Sequence, residues 1–305
     1  MKGEYIVMKK FAILLAVVFL FAAIVTPATA APIVFRFAGQ SPPDHMATKT
    51  MNEMAKEIGQ KTNGRVEIKV YPANQLGNYS LVMEEMLRGT IDMSVTSFAS
   101  EFDPRFELVY INGYVSGYDS AKKVFAPGAW LPNKLNELGK PLGVRVLGAY
   151  IEGMIGIGST KPVKDPLNPK VDKGVLTRVP NMDVYSLAAK AMGYRTITIP
   201  WSDVYQSMQT GVCDAVDGMA TPAAYTIIDD VIKHWYATNY SMEYLPFMIS
   251  EKSWKKLSPA DQKVFMEVAN EGKAYYPSQL MPWWYDKDKQ SPVEAILDEA
   301  ARYDM

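Results

Sequence analysis

Histidine and cysteine, which carry much of enzyme and metal chemistry, are nearly missing. Cys213 is the one cysteine, and His45 and His234 are the two histidines, of a 305-residue chain. A disulfide framework and a cysteine-based zinc site are therefore excluded, and a histidine-dependent metal or catalytic cluster has little to draw on. A charge excess is lacking too: 32 Lys+Arg stand against 33 Asp+Glu, for a formal charge of −1. Nucleic-acid binding needs a basic excess clustered on one face, so no nucleic-acid partner is expected. Charged residues are 21% of the chain and hydrophobic ones 48%. That balance excludes a disordered polyelectrolyte and supplies core for about two lobes. Nucleophile elbow, Walker loop, HExxH and dinucleotide fingerprint are all absent, and GMIGIG at 153–158 does not make GxGxxG. No cofactor or resident metal is expected; the methionines Met83, Met86 and Met93 fall on helix and strand faces and read as core.

What is present begins with an export address. Lys9 and Lys10 precede an unbroken apolar run, Phe11–Val25, and Ala28-Thr29-Ala30 offers a small-x-small cleavage site. The pattern predicts a signal peptide over 1–30, cut after Ala30, and hence a periplasmic protein. The run is shorter than the roughly 20 residues a membrane-spanning helix needs, and no cysteine follows the cut to take a lipid. Strand 33–38, helix 45–61, strand 65–71, helix 79–88 and strand 91–96 then alternate in the manner of a largely parallel sheet. The stretch from 102 to 118 is less periodic. A strand is predicted over 144–151, with Gly153, Gly156 and Gly158 softening the segment after it. Alternation resumes with strand 175–179, helix 182–192, strand 196–199, helix 202–210 and strand 212–216. Ser258-Pro259-Ala260-Asp261 is a helix start, with a cap, a first-turn proline and an acid for the dipole. A final helix is predicted from Pro292.

Two groups of residues could carry chemistry. Arg178 lies in VLTRVP, a half-buried strand, where a guanidinium costs desolvation unless it meets an anion. Its planar fork suits a carboxylate, either of a ligand or of a protein Asp or Glu, and the strand alone leaves both open. Asp214 and Asp217, three apart at the end of the strand 212–216, read as polar strand-end and turn residues, or, for Asp217, as a ligand contact.

Four ordered segments resemble the solute-binding subunits of tripartite ATP-independent periplasmic (TRAP) transporters, the DctP type. They are TNGRVEIKVYPANQLG (62–77), RGTIDMSV (88–95), KGVLTRVP (173–180) and IPWSDVYQSMQTGVCDAV (199–216). The resemblance implies an α/β, two-lobed periplasmic binding protein (type II-like), its lobes joined by crossing strands and a long spanning helix. On it the domains are lobe I over 31–152 plus about 240–257, lobe II over 153–239, and a spanning helix and C-terminal helical segment over 258–305. It also implies capture of an organic acid by hinge closure, delivery to TRAP permease membrane subunits, and a monomer that performs no chemistry. By the same resemblance Arg178 binds the ligand carboxylate, Asn181 hydrogen-bonds ligand, Trp201 forms a pocket wall, and Asp217 faces the ligand or an ion. Gln40, Ser97 and Phe98 sit at the ends of first-lobe strands, where open α/β sheets bind ligands.

The chain departs from the family pattern at two places. Ile155 stands where many members have a second arginine, and Gly218 and Met219 replace an Asn-Pro pair. One cation and one amide fewer imply a less polar, roomier pocket. The expected ligand is then a monocarboxylate with an apolar or aromatic body against Trp201 and Phe98, rather than a dicarboxylate or sialic acid. A ligand sensor on the same fold, and a secreted carboxylate lyase or isomerase with Asp217 as base, are the rival readings.

Overall fold

The computed structural model describes residues 31–270. The chain divides into Met1–Ile33 and Val34–Met305, and the fold lies in the second unit. The predicted signal peptide, and the C-terminal segment from residue 271 with its predicted last helix, fall outside the described residues.

Alternation along β1 (Ile33–Gly39) turns Phe35 and Phe37 fully inward. α1 (Met46–Lys61) buries Ala47, Met51, Met54 and Ile58, which share one face at helical spacing. Its N-cap is His45, whose Nδ1 accepts from the Ala47 N–H at 3.1 Å. β2 (Val66–Tyr71), α2 (Tyr79–Arg88) and β3 (Met93–Val95) complete the first alternating run. α2 is bounded by Asn78, whose side chain accepts from the Leu81 N–H at 3.0 Å, and by Gly89 in the left-handed conformation. A 3-10 turn at Pro104–Tyr110 follows, and then two helices the periodicity does not announce, α3 (Tyr118–Val124) and α4 (Trp130–Leu142).

β4 (Val144–Ser159) differs most from expectation. It does not stop at Ile151 but runs on through the glycines as one long strand. The glycines serve close packing: a Cβ on Gly156 would lie 2.4 Å from the Trp235 ring, so only glycine lets the indole rest on the strand. β5 (Leu176–Val179), α5 (Asp183–Ala191), β6 (Arg195–Thr198), α6 (Val204–Gln209) and β7 (Ala215–Ala220) give the second alternating run, β7 lying later than the predicted 212–216. α7 (Thr221–Ile227), β8 (His234–Tyr236), β9 (Met242–Ser250), α8 (Glu251–Trp254) and α9 (Pro259–Asn270) complete the described chain. α9 starts as expected, with Ser258 Oγ accepting from the Asp261 N–H at 3.1 Å. Phe265 and Val268 are buried beneath it.

The strands form one sheet in the order β2-β1-β3-β9-β4-β7-β5-β6, with β8 on β4. β1 and β3 are parallel, and so are β5–β6 and β5–β7. β9 is antiparallel to both β3 and β4, and β4 is antiparallel to β7. β4 pairs with β9 from Val144 to Met154 and with β7 and β8 from Ile155 onward. It therefore belongs to both halves of the sheet and crosses between them. β9 is buried throughout although it contains Pro246. That proline sits next to Phe247, where the pairing with β3 ends, so no ladder donor is needed on that side. Among the described residues, no helix is long and apolar enough to cross a membrane.

Candidate functional site

A cavity opens where the parallel strands of both halves end. From one half it is lined by Gln40 and Ser41 after β1, Tyr79 at the start of α2, Ser97 after β3, and Tyr110. The crossing strands contribute Glu152 of β4 and Glu243 of β9. The other half supplies Arg178 and Pro180 at the end of β5, Met182 and Tyr185 around the start of α5, Trp201 after β6, and Gly218 and Met219 of β7. Ends of parallel strands are the expected place for a ligand on an open α/β sheet. Its volume is only about 20 Å³, room for about one water molecule. Its walls stand almost in contact.

Arg178 is the centre of the second wall and is 1% exposed. Its Nε donates to the Ile199 carbonyl at 2.8 Å and its Nη1 to the Asp217 carbonyl at 3.2 Å. No ion pair reaches it among the described residues. Burial lowers its pKa, opposed by the fields of Tyr79, Asp217, Tyr185 and Glu243. The guanidinium carbon lies 5.7 Å from the Trp201 ring centroid, at the outer limit of a cation–π contact. Two backbone carbonyls thus fix the guanidinium without neutralising it.

Of the other expected site residues, Gln40, Ser97, Trp201 and Gly218 line the cavity. Gln40 and Ser97 lock each other, the Ser97 N–H donating to Gln40 Oε1 at 2.9 Å. Gly218 has φ 80, and a Cβ there would stand 2.9 Å from Pro180 Cδ. Four residues are placed elsewhere. Phe98 is fully buried and stacks on Phe106, centroids 4.6 Å apart, so it packs the core and not the cavity. Ile155 is likewise fully buried, paired with Ala220 across β4 and β7. The Asn181 side chain is exposed, and its carbonyl accepts from Ser100 Oγ at 3.3 Å. Asp217 is fully buried, with its carboxylate accepting from Tyr240 Oη at 2.8 and 2.9 Å and from the Gly218 N–H at 2.7 Å. Burial pushes its pKa up to about 7 against the pull of these donors and of Arg178. Asp217 meets Arg178 through its carbonyl and does not line the cavity.

Two carboxylates, which the expectation of a less polar, roomier pocket did not include, stand in the cavity wall. Glu243 Oε2 accepts from Tyr185 Oη at 3.1 Å, and Oε1 faces Ser97 Oγ at 3.5 Å. Burial, and then the charge of Glu152, push the Glu243 pKa up to about 8. Glu152 lies 3.2 Å from Nε2 of His45. A bulge between Ile151 and Gly153 opposes Gly153 to Glu243, which sets the two acids side by side on the crossing strands. The walls also meet directly beside the cavity. Glu107 accepts from the Asp183 and Val184 N–H groups at 3.1 and 2.9 Å, tying the 3-10 turn of one half to the first turn of α5 in the other.

A family model described as bacterial extracellular solute-binding protein, family 7 (DctP) matches residues 37–284. The chain belongs to this family. The C4-dicarboxylate-binding periplasmic protein DctP of Rhodobacter capsulatus is 26% identical over 286 residues, covering 91% of this chain and 82% of that protein. The 2,3-diketo-L-gulonate-binding periplasmic protein YiaO of Escherichia coli is 25% identical over 85% of this chain and 78% of its own length. Among solved structures, a TRAP periplasmic solute-binding protein of Chromohalobacter salexigens with bound D-glucuronate superposes with a TM-score of 0.73. It shares 23% identity and covers 87% of this chain and 86% of that one. One of Haemophilus influenzae with bound L-gulonate also gives 0.73, at 24% identity and 84% of each chain. The fold is the two-lobed one of the TRAP periplasmic binding proteins.

Sequence reasoning missed Glu152 and Glu243, yet both carry the signal that exposed Arg178. Each is a lone charge within an apolar strand, YIEGMIG and SMEYLPF, and such a charge is costly to bury without a reason. Tyr79, Tyr110 and Tyr185 had no signal to separate them from core tyrosines, because their placement depends on how the strand ends converge.

Proposed function

We propose that this DctP-family chain captures an organic acid between its lobes by hinge closure and hands it to the membrane permease of a TRAP system. The observation that carries the reading is Arg178: a buried guanidinium, held at the cavity by two carbonyls and lacking an ion-pair partner among the described residues. A ligand carboxylate would complete it bidentately. With walls this close, a ligand of more than a water's size enters only if the lobes part, and contacts to both walls then favour the closed form. The lobes on this reading are 31–152 with about 240–257, and 153–239, joined by β4 and β9. The protein acts as a monomer after removal of 1–30.

The ligand's body packs on Trp201, with Met182 and Met219 beside it, and not on Phe98. An apolar or aromatic acid suits that wall. The bound sugar acids of the structural neighbours are the rival class, and the tyrosine hydroxyls could serve their hydroxyl groups. A thermal-shift screen of small hydroxy- and keto-acids, dicarboxylates, sugar acids and aromatic acids tests the reading, because a ligand of the native state alone raises the melting temperature. Stabilisation by aromatic or bulky monocarboxylates supports it. Stabilisation by sugar acids only keeps the acid capture and removes the apolar body.

A further inference from the structure

We propose that the cavity is shaped for a zwitterion, with its carboxylate on Arg178 and an ammonium group between Glu152 and Glu243. The proposal rests on the reading of Arg178 above and adds the other end of the ligand. Its basis is the charge inventory of the walls: one cation, Arg178, and two carboxylates, Glu152 and Glu243, the latter two 4% and 5% exposed.

The His45 ring accepts the Ala47 N–H on Nδ1 and places Nε2 3.2 Å from Glu152. The partners of Glu243 are the neutral hydroxyls of Tyr185 and Ser97. Glu243 thus meets only uncharged donors, and the cavity lining holds a single guanidinium beside the two acids. With both acids ionised, a plain carboxylate entering this site would set three negative charges against one positive one, in a place where water does little to screen it. An ammonium arriving with the carboxylate narrows that excess, to three against two. The geometry favours the same answer. The two acids are brought together by the bulge where the strands cross between lobes, while Arg178 stands on the far lobe. A ligand bridging them touches both lobes, which is the condition for closure.

Glu243 also gives the proposal a readout that needs no variant. It faces Glu152 from β4, Arg178 from β5, Tyr185 from α5, Ser97 after β3, and Tyr110 and Tyr240. With its pKa near 8 the free site holds a proton on this carboxyl at pH 7. An ammonium settling against the acids would expel it. Binding of a zwitterion at pH 7 should thus release close to one proton, seen as a dependence of the calorimetric enthalpy on the ionisation enthalpy of the buffer.

The test is titration calorimetry of the purified protein with matched pairs: L-phenylalanine and 3-phenylpropanoate, L-leucine and 4-methylpentanoate, 4-aminobutanoate and butanoate. In at least one pair the zwitterion should bind ten-fold or more tightly than its deaminated partner and release a proton. Glu243→Gln and Glu152→Gln, close in shape to the parent, should erase that preference. Acids that bind as well as or better than their amino partners in every pair overturn the zwitterion and leave acid capture standing, as does zwitterion binding without proton release. A panel in which no zwitterion binds also overturns it. Full affinity in Arg178→Ala for whichever probe binds would instead overturn the acid-capture reading beneath it.

Discussion

Replacing Arg178 by lysine keeps the charge and removes the geometry. In the parent, Nε and Nη1 are committed to the Ile199 and Asp217 carbonyls at 2.8 and 3.2 Å, so the fork is held in place before any ligand arrives. A lysine ammonium has its donors on one nitrogen and cannot serve both carbonyls and a bidentate carboxylate. Losing one hydrogen bond between charged groups costs about 1.5–3 kcal/mol, so Arg178→Lys should weaken acid binding roughly 10- to 150-fold. Arg178→Ala goes further. It leaves the ligand charge buried without a partner, a loss of about 2–5 kcal/mol or more, which is roughly 30- to several thousand-fold. The alanine variant also removes the one cation whose field pulls down the pKa values of Asp217 and Glu243, so both carboxyls should titrate higher still. Calorimetric titration with the strongest acid or zwitterion of the panel measures the affinities, and thermal melts confirm that each variant is folded. Folded Arg178→Ala and Arg178→Lys proteins that bind within two-fold of the parent would place the carboxylate clamp elsewhere and refute the argument.

Asp217 predicts a pH effect. Its folded pKa of about 7 lies above the unfolded value of about 4, so its contribution to stability is fully present below pH 4 and is lost as pH rises through 7. The loss is at most about 4 kcal/mol; Asp217→Asn should remove it, narrowing the gap in urea midpoint between pH 5 and pH 8, and an unchanged gap would count against the assignment. Gly218→Ala forces an L side chain to φ 80 with its Cβ 2.9 Å from Pro180 Cδ. It should cost about 1–3 kcal/mol, seen as a drop of several degrees in melting temperature, and should weaken binding by narrowing the cavity; a neutral outcome would show that Pro180 yields freely. Phe98→Ala should cost about 3–5 kcal/mol of stability, because it empties a filled core site against Phe106, while the folded protein keeps near-parental affinity. Trp201→Ala should do the reverse, and equal loss of affinity in both would restore Phe98 to the pocket.

Local chemistry made much of this fold readable. The stripe of α1, the alternation of β2 and the Ser258 cap of α9 each depend on residues within one or two turns, and each appears where the pattern puts it. β4 was legible only in its first half, because the reason for Gly156 is Trp235, far along the chain. β9 was hidden by Pro246, which lies just past the last residue paired with β3. Long-range partners decide such cases, and a sequence window does not contain them.

The site follows the same division, with one instructive asymmetry. Arg178 stands out in the sequence because a charge inside a strand must be explained, and the family resemblance supplies an acid to explain it. Glu152 and Glu243 satisfy the same criterion on β4 and β9, yet the family pattern marks only the cation lost at Ile155 and the amide lost at Gly218. In the structure, Ile155 is core, and the cavity wall carries two carboxylates beside one guanidinium. Loss of a cation and presence of buried acids shift the site's charge in the same direction, away from anions of high charge. An uncompensated dianion is therefore the ligand this site is least suited to hold, and a molecule bearing its own positive group would leave less charge unmatched on burial.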